Sequence, residues 1–529
     1  MIPASTRPTT RRPISVTPPS THAEPPEDGL LQLGPDHRLY PEDVVAASYQ
    51  ARPALCLSEA ATQAIISAHA ALERLVEQGR EIYGLTTGFG PFVACRASTD
   101  PSRQGLGLIN HLASGWGDPA PAEIVRAAMI LRAQTVAQGF SGIEPRVAEA
   151  FVELITAGVA PAVPEIGSVG ASGDLIPLAH VVQCLAGRGE ALDAEDALVP
   201  AAKALASAGL EPTELGARDA LSLVNGTAFM TAYAVHALIA AERVLDRAEE
   251  LTAWIYRLFA ARTQPLDDRL HSARGHAGQR AAAARITGHI DAHGGVVPDE
   301  HRPLQEVYSV RCAPQWLGAA REQLAHARRL IEVEINGISD NPVVIAANHA
   351  HGTSDDVIHG GNFQGTQIAF ATDAINTALV HTALLAERQI DVLSNPELNM
   401  GAPLLLAREP GPDAGIAGVQ ITATALVAEM RLGAQPAAIA SIPTNGRNQD
   451  VVSMGTVAAR NAHAQVDRAA GVLAACALAA AQLDHRRRTG LAPGPSADGP
   501  RWAEVYTPFE ADRPTRRDLQ RLSQAILTD

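Results

Sequence analysis

Small and apolar residues recur at alternating steps of three and four at Leu238, Ala241, Leu245, Ala248, Thr252, Ile255 and Phe259. That period puts them on one stripe of a long helix and predicts a bundle seam. Nearer the start, Ile65, Ala68, Leu72, Leu75 and Val76 mark one face of a helix running from Ser58 to Gly79. Further long helices are predicted near 319–335, 366–393, 416–432 and 451–486, and a short amphipathic one near 519–527. Several are apolar on more than one face, which suits the inside of a bundle or a subunit interface. Alternating strand patterns are scarce, and no solenoid repeat is present. The predicted fold is mainly α, a long central helical bundle behind an N-terminal region.

The first 38 residues break this pattern. They are rich in Pro, Thr and Ser, with Arg7, Arg11 and Arg12, and cannot bury enough apolar surface to order themselves. The expected division is a disordered tail over 1–38, an N-terminal region over 39–215, and the helical bundle with its C-terminal helices over 216–529. A chain of 529 residues with 46% apolar and 19% charged residues suits a protein with much buried surface. The balance of 42 basic against 57 acidic residues, a net −15, argues against nucleic acid and anionic membranes as partners. No run of about 18 uninterrupted apolar residues suggests a membrane span. Five scattered cysteines without metal spacing, and a start without an apolar h-region, read as a reduced, cytoplasmic protein.

Chemistry enters at Gly167-Ser168-Val169-Gly170-Ala171-Ser172-Gly173-Asp174-Leu175. Glycine lets a backbone fold tightly and lets peptide groups approach one another. At Ala171-Ser172-Gly173 the middle residue has a hydroxyl to lose and the third amide nitrogen is unshielded. The Gly173 nitrogen can therefore attack the Ala171 carbonyl and close a five-membered ring. Loss of water, including the Ser172 hydroxyl, leaves an exocyclic alkene conjugated to that ring, an electrophile no ordinary side chain provides. Asp174 is placed to cap a helix starting at Leu175, whose positive end faces the ring. A hydrolase nucleophile elbow is excluded, because Asp174 stands where a second glycine is needed. No phosphate loop or dinucleotide fingerprint occurs in context.

These residues resemble the prosthetic-group segment of the aromatic amino-acid lyases, the histidine, phenylalanine and tyrosine ammonia-lyases and related aminomutases. Other pieces resemble the same family in order. They include Tyr83-Gly84-Leu85-Thr86-Thr87-Gly88-Phe89-Gly90, His111-Leu112-Ala113-Ser114-Gly115, Leu223-Val224-Asn225-Gly226-Thr227 and the run from Gln305 to Gln315. Asp340-Asn341-Pro342, His359 to Phe363, Glu387-Arg388-Gln389 and Thr444 to Gly455 continue it. One departure is Gln134, where the family usually has Asn.

The resemblance implies that Ala171-Ser172-Gly173 becomes methylidene-imidazolone (MIO), with no metal or diffusible cofactor. It implies Tyr83 as the base for the β-proton, which requires surroundings that favour its phenolate. Tyr308 assists by hydrogen bonding and Asn225 supports the ring. Arg311, three residues from Tyr308 and so on the same helical face, forks onto the substrate carboxylate together with Asn341. Gly90, Gln305, Asn445 and Gln449 line the pocket. His111 and Leu112 meet the aromatic ring in the manner of the tyrosine ammonia-lyases. Histidine lyases normally carry Glu where this chain has Gln449, and phenylalanine-type enzymes usually lack a histidine at 111. The implied reaction is loss of ammonia from L-tyrosine to give trans-p-coumarate, in a homotetramer whose sites are shared between subunits. Tyrosine 2,3-aminomutase, the histidine or phenylalanine lyases and a silent lyase-like scaffold are the alternatives.

Overall fold

The structure is a computed structural model that describes residues 30–347 and 353–528. Its framework is the helix Ala228–Leu258, buried on almost every side. The predicted seam is buried throughout, but so are Ile239, Val244 and Leu251 between its positions. The stripe was therefore too narrow a reading, because helices pack around this one on several sides. Ala122–Ala137, Ala313–Asn336, Thr366–Ser394 and Gly455–Arg488 all pack against it, and the last two pack closely on each other. Ala417–Leu432 and Arg516–Thr528 close the outside of Gly455–Arg488. Alanine and glycine on these surfaces let the helix axes approach closely.

Three stretches, Ala217–Leu258, Thr366–Ser394 and Gly455–Arg488, are long and apolar enough by length and composition to cross a membrane. Their apolar windows are 100%, 67% and 78% buried within the protein, so packing accounts for most of that character. One apolar cluster runs from Leu33 to Leu527 and crosses the 215/216 line, so the two expected regions share a core.

The strands among the described residues are short. Leu31–Leu33 pairs in parallel with Leu55–Leu57, and Trp116–Pro119 pairs antiparallel with Pro164–Ile166. Ala160–Pro161, Glu190–Leu192 and Leu198–Pro200 form a three-stranded piece, and Val343–Ile345 pairs with Asp356–Ile358. The first pair corrects the boundary of the tail. Residues 1–29 lie outside the described residues, and the strand Leu31–Leu33 already stands before Leu39, where order was expected to begin. Leu33 is fully buried, and Gln134 fixes the turn after it. The Gln134 Oε1 accepts from Gly34 N (3.1 Å) and its Nε2 donates to the His37 carbonyl (3.0 Å). The departure noted at Gln134 thus ties the N-terminal turn to Ala122–Ala137.

A buried charge cluster holds the segment that carries Asn341. Asp340 is inaccessible and pairs with Arg218 (2.8 Å) and with Arg132 (3.5 Å). Burial pushes the Arg132 guanidinium down to about 10, against the pull of Asp340. Arg132 also donates to the carbonyls of Ser222 and Ser339, and Arg218 to that of Pro342. Asp340→Ala would leave two buried guanidinium groups without a counter-charge. It is expected to lower the unfolding free energy by about 3–5 kcal/mol, read as a fall in the denaturant midpoint.

Candidate active site

The glycine-rich loop folds as tightly as its composition suggests. Ala171 and Gly173 are joined by an isolated backbone bridge across Ser172. Gly173 has φ +70°, and a Cβ there would collide with the Gly226 peptide. The Gly226 carbonyl accepts from Asp174 N at 2.7 Å, which draws this turn against the start of the central helix.

Asp174 does not cap its own helix, Leu175–Leu185, as expected. Its Oδ2 accepts instead from Met230 N (2.7 Å) in the first turn of Ala228–Leu258. Its Oδ1 accepts from Ser168 Oγ (2.8 Å) and Thr456 Oγ1 (2.5 Å). A fully buried carboxylate gains more from three donors on three segments than from one local cap. Burial pushes its carboxyl up to about 6, opposed by the bonds from Thr456, Met230 and Ser168. Ser453 Oγ donates to the Gly170 carbonyl (2.9 Å), and Met454 N to that of Val169 (2.9 Å). Sequence reasoning assigned no role to Ser168, Ser453 or Thr456. Their only local signal is hydroxyls flanking glycines at a loop and a helix start.

Two side chains reach Ser172. Asn225, nearly buried, donates from Nδ2 to the Ser172 carbonyl at 2.8 Å, while its Oδ1 is buried without a partner. Gln449 donates from Nε2 to the Ser172 hydroxyl at 2.8 Å. Its segment folds back on itself, with Thr444 N donating to the Gln449 carbonyl. Asn445, at the start of the turn Asn445–Arg447, stands beside Gly90. A Cβ on Gly90 would lie 2.8 Å from the Asn445 amide nitrogen.

Gly90 joins this group to Tyr83, whose hydroxyl oxygen accepts from Gly90 N at 2.7 Å. The Tyr83 ring meets Phe89 edge-on, and its backbone N donates to His359 Nε2 (3.1 Å). Next to His359, Gly360 N donates to Asn341 Oδ1 (2.7 Å). Among the described residues of one chain, the Gly90 N–H is what favours the phenolate of Tyr83. Burial pushes the Tyr83 hydroxyl above its ordinary value, and only the Gly90 N–H opposes it.

The remaining expected residues stand apart. His111 is exposed at the end of Pro101–Leu112, its Nδ1 2.9 Å from the Gly107 carbonyl, and Leu112 is half-buried. Gln305 is exposed. The Arg311 guanidinium lies 4.7 Å over the Tyr308 ring, as their spacing predicts, with its Nε buried and unpaired. Tyr308 itself is 71% exposed. Their turn, Tyr308–Arg311, is anchored far along the central helix. Tyr256 Oη donates to the Val310 carbonyl, and Gln389 bridges Thr252 and the Ser309 carbonyl. Thr252 is about six helical turns, about 33 Å, beyond Met230, which touches Asp174. Arg311 and Ser172 of one chain therefore cannot serve the same small molecule.

Residues 39–510 match the sequence model of the family described as "Aromatic amino acid lyase". The tyrosine ammonia-lyase of Cereibacter sphaeroides is 40% identical over 481 residues, covering 87% of this chain and 91% of that protein. The histidine ammonia-lyase of Geobacillus thermodenitrificans is 36% identical over 462 residues, covering 87% of this chain and 90% of that protein. Among solved structures, a tyrosine aminomutase of Streptomyces globisporus superposes with a TM-score of 0.83 at 32% identity. It covers 94% of this chain and 96% of that one.

Proposed function

The chain belongs to the aromatic amino acid lyase family and is a carbon–nitrogen lyase, and from that premise we propose that it eliminates ammonia from L-tyrosine to give trans-p-coumarate. Ala171-Ser172-Gly173 forms MIO. The backbone bridge between Ala171 and Gly173, the Asn225 bond to the Ser172 carbonyl and the spare Asn225 oxygen all fit that group. When formed, it supplies an electrophilic carbon that captures the substrate amino group and improves it as a leaving group.

The chain's own residues do the rest. Asn225 donates to the carbonyl that stays conjugated with the alkene and draws electron density from it. Tyr83 takes the β-proton. For this its hydroxyl must lose the handicap of burial, and a cation delivered by another copy would supply the missing stabilisation. Arg311 is that cation and, with Asn341, clamps the substrate carboxylate. Tyr308 accompanies it as a hydrogen-bonding partner. The distance between Arg311 and Ser172 in one chain supports a homotetramer in which each site takes residues from several copies. The exposure of Tyr308, Ile421 and Leu432 on this side supports the same assembly. The five cysteines are unpaired, in keeping with a cytoplasmic enzyme.

The choice of substrate is carried by Gln449. A neutral amide, not a carboxylate, donates to Ser172, whereas a glutamate would suit an imidazole. Gly90, Asn445 and Gln305 complete the lining, and His111 and Leu112 face the far end of the ring. His111 hydrogen-bonds a phenolic hydroxyl. With phenylalanine the imidazole is desolvated without compensation. His111→Phe is expected to raise kcat/KM for phenylalanine relative to tyrosine by at least about tenfold. Specificity constants for tyrosine, phenylalanine and histidine in both proteins test this. An unchanged ratio would show that His111 does not read the ring. The likeness to a tyrosine aminomutase favours one second reading, in which ammonia re-adds at the β-carbon instead of escaping.

A further inference from the structure

Ala171-Ser172-Gly173 hangs between two short arms, residues 168–170 before it and Asp174 after it. Ring closure joins the Gly173 nitrogen to the Ala171 carbonyl carbon, so it depends on how the two arms are held relative to one another. A misplacement of about 1 Å can slow such an intramolecular step about a hundredfold.

Both arms are gripped by one element, the start of the helix Gly455–Arg488. The earlier arm is held just ahead of that helix. Ser453 Oγ donates to the Gly170 carbonyl and Met454 N to that of Val169, both at 2.9 Å. The later arm is held by the second residue of the helix, where Thr456 Oγ1 donates to Asp174 Oδ1 at 2.5 Å. Among the described residues this is the one hydrogen bond from that helix to Asp174. The other long-range partners of Asp174, Met230 N and the Gly226 carbonyl, belong to the central helix and the turn before it. Ser168 closes the figure. Its hydroxyl donates to the same Asp174 oxygen at 2.8 Å, accepts from Gly170 N at 3.0 Å and stands 2.9 Å from Thr456 Oγ1. Asp174, Ser453 and Thr456 are all buried, so a lost donor is not replaced by bulk water.

We propose that Thr456 and Ser453 are positioning residues for ring closure: from one helix start they clip the two arms, and so fix the Gly173 nitrogen against the Ala171 carbonyl. The assignment rests on the reading of Ala171-Ser172-Gly173 as the source of MIO. In closure the N–C bond forms, and the Ala171 carbonyl oxygen leaves as water with the amide protons of Gly173 and Ser172. The Ser172 hydroxyl leaves as a second water with the Ser172 Cα proton. Thr456 and Ser453 exchange no proton in either step.

The test is the intact mass of wild type, Thr456→Val, Thr456→Ser and Ser453→Ala, each isolated as assembled protein by gel filtration directly after brief expression. Selecting assembled protein separates closure from folding, and mass reads closure without turnover. Wild type and Thr456→Ser are expected two waters below the mass of the encoded chain. Thr456→Val keeps the shape of the side chain without its hydroxyl. It is expected mainly at the encoded mass, losing the two waters at least about tenfold more slowly on further incubation. Ser453→Ala, which frees the Gly170 carbonyl, is expected to lag in the same way. Full closure at isolation in Ser453→Ala, or in Thr456→Val where that chain assembles, would overturn the proposal. So would Thr456→Ser that stays as open as Thr456→Val. Wild type at the full encoded mass would show instead that the MIO reading itself has failed.

Discussion

Ser172→Ala is expected to leave a folded, assembled protein whose turnover is lower by at least roughly a thousandfold, about 4 kcal/mol of barrier. No hydroxyl remains to leave, so the conjugated alkene cannot form. The fold survives because the contacts of the loop run through Ser168, Gly170 and Asp174 to Ser453, Thr456 and Met230, not through the Ser172 side chain. Only the Gln449 bond to the hydroxyl is lost. The ring's ultraviolet band in a wild-type minus variant difference spectrum, and the intact mass of each protein, measure its formation directly. Near wild-type turnover in Ser172→Ala would remove the electrophile from the account.

Truncation of Arg311 to Ala has the second-largest expected effect. It removes a forked, charge-assisted contact to the substrate carboxylate, worth about 1.5–3 kcal/mol per hydrogen bond. Both KM and kcat are expected to suffer, by roughly tenfold to a hundredfold or more in kcat/KM. Arg311→Lys recovers little, because an ammonium has no planar fork. Since the Arg311 turn and the Ser172 loop of one chain are anchored about six helical turns apart along the central helix, the two defects belong to different sites. Co-assembly of Ser172→Ala chains with Arg311→Ala chains is therefore expected to regain activity that neither has alone, at sites whose defective residues fall outside them. Steady-state rates of the mixed and unmixed assemblies measure this. No gain on mixing would contradict the sharing of sites.

The helices were legible because their signal is local. Glu59–Glu77 follows its Ser58 cap, and Gly455–Arg488 and Thr366–Ser394 follow their apolar runs to within a few residues. The partners of the central helix were not legible, since a helix buried on all sides shows only part of its environment in a stripe. Ala171-Ser172-Gly173 was legible as candidate chemistry because a carbonyl, a hydroxyl to lose and an unshielded amide nitrogen follow one another in the chain. Asp174 was misread as a local cap, because its real partners, Met230 and Thr456, lie 56 and 282 positions away. Leu31–Leu33 was hidden in a proline-rich stretch, because its order comes from Leu55–Leu57 and Gln134. The tyrosine–arginine pairing of Tyr308 and Arg311 followed from helical spacing, but no spacing rule could place that pair relative to the loop at Ser172.

The most direct measurement is incubation of the purified wild-type protein with L-tyrosine, followed by chromatography of the products and assay of free ammonia. The account predicts trans-p-coumarate and ammonia in equal amounts, and neither L-phenylalanine nor L-histidine is turned over as efficiently. β-Tyrosine without free ammonia, or efficient deamination of histidine in place of tyrosine, would contradict it.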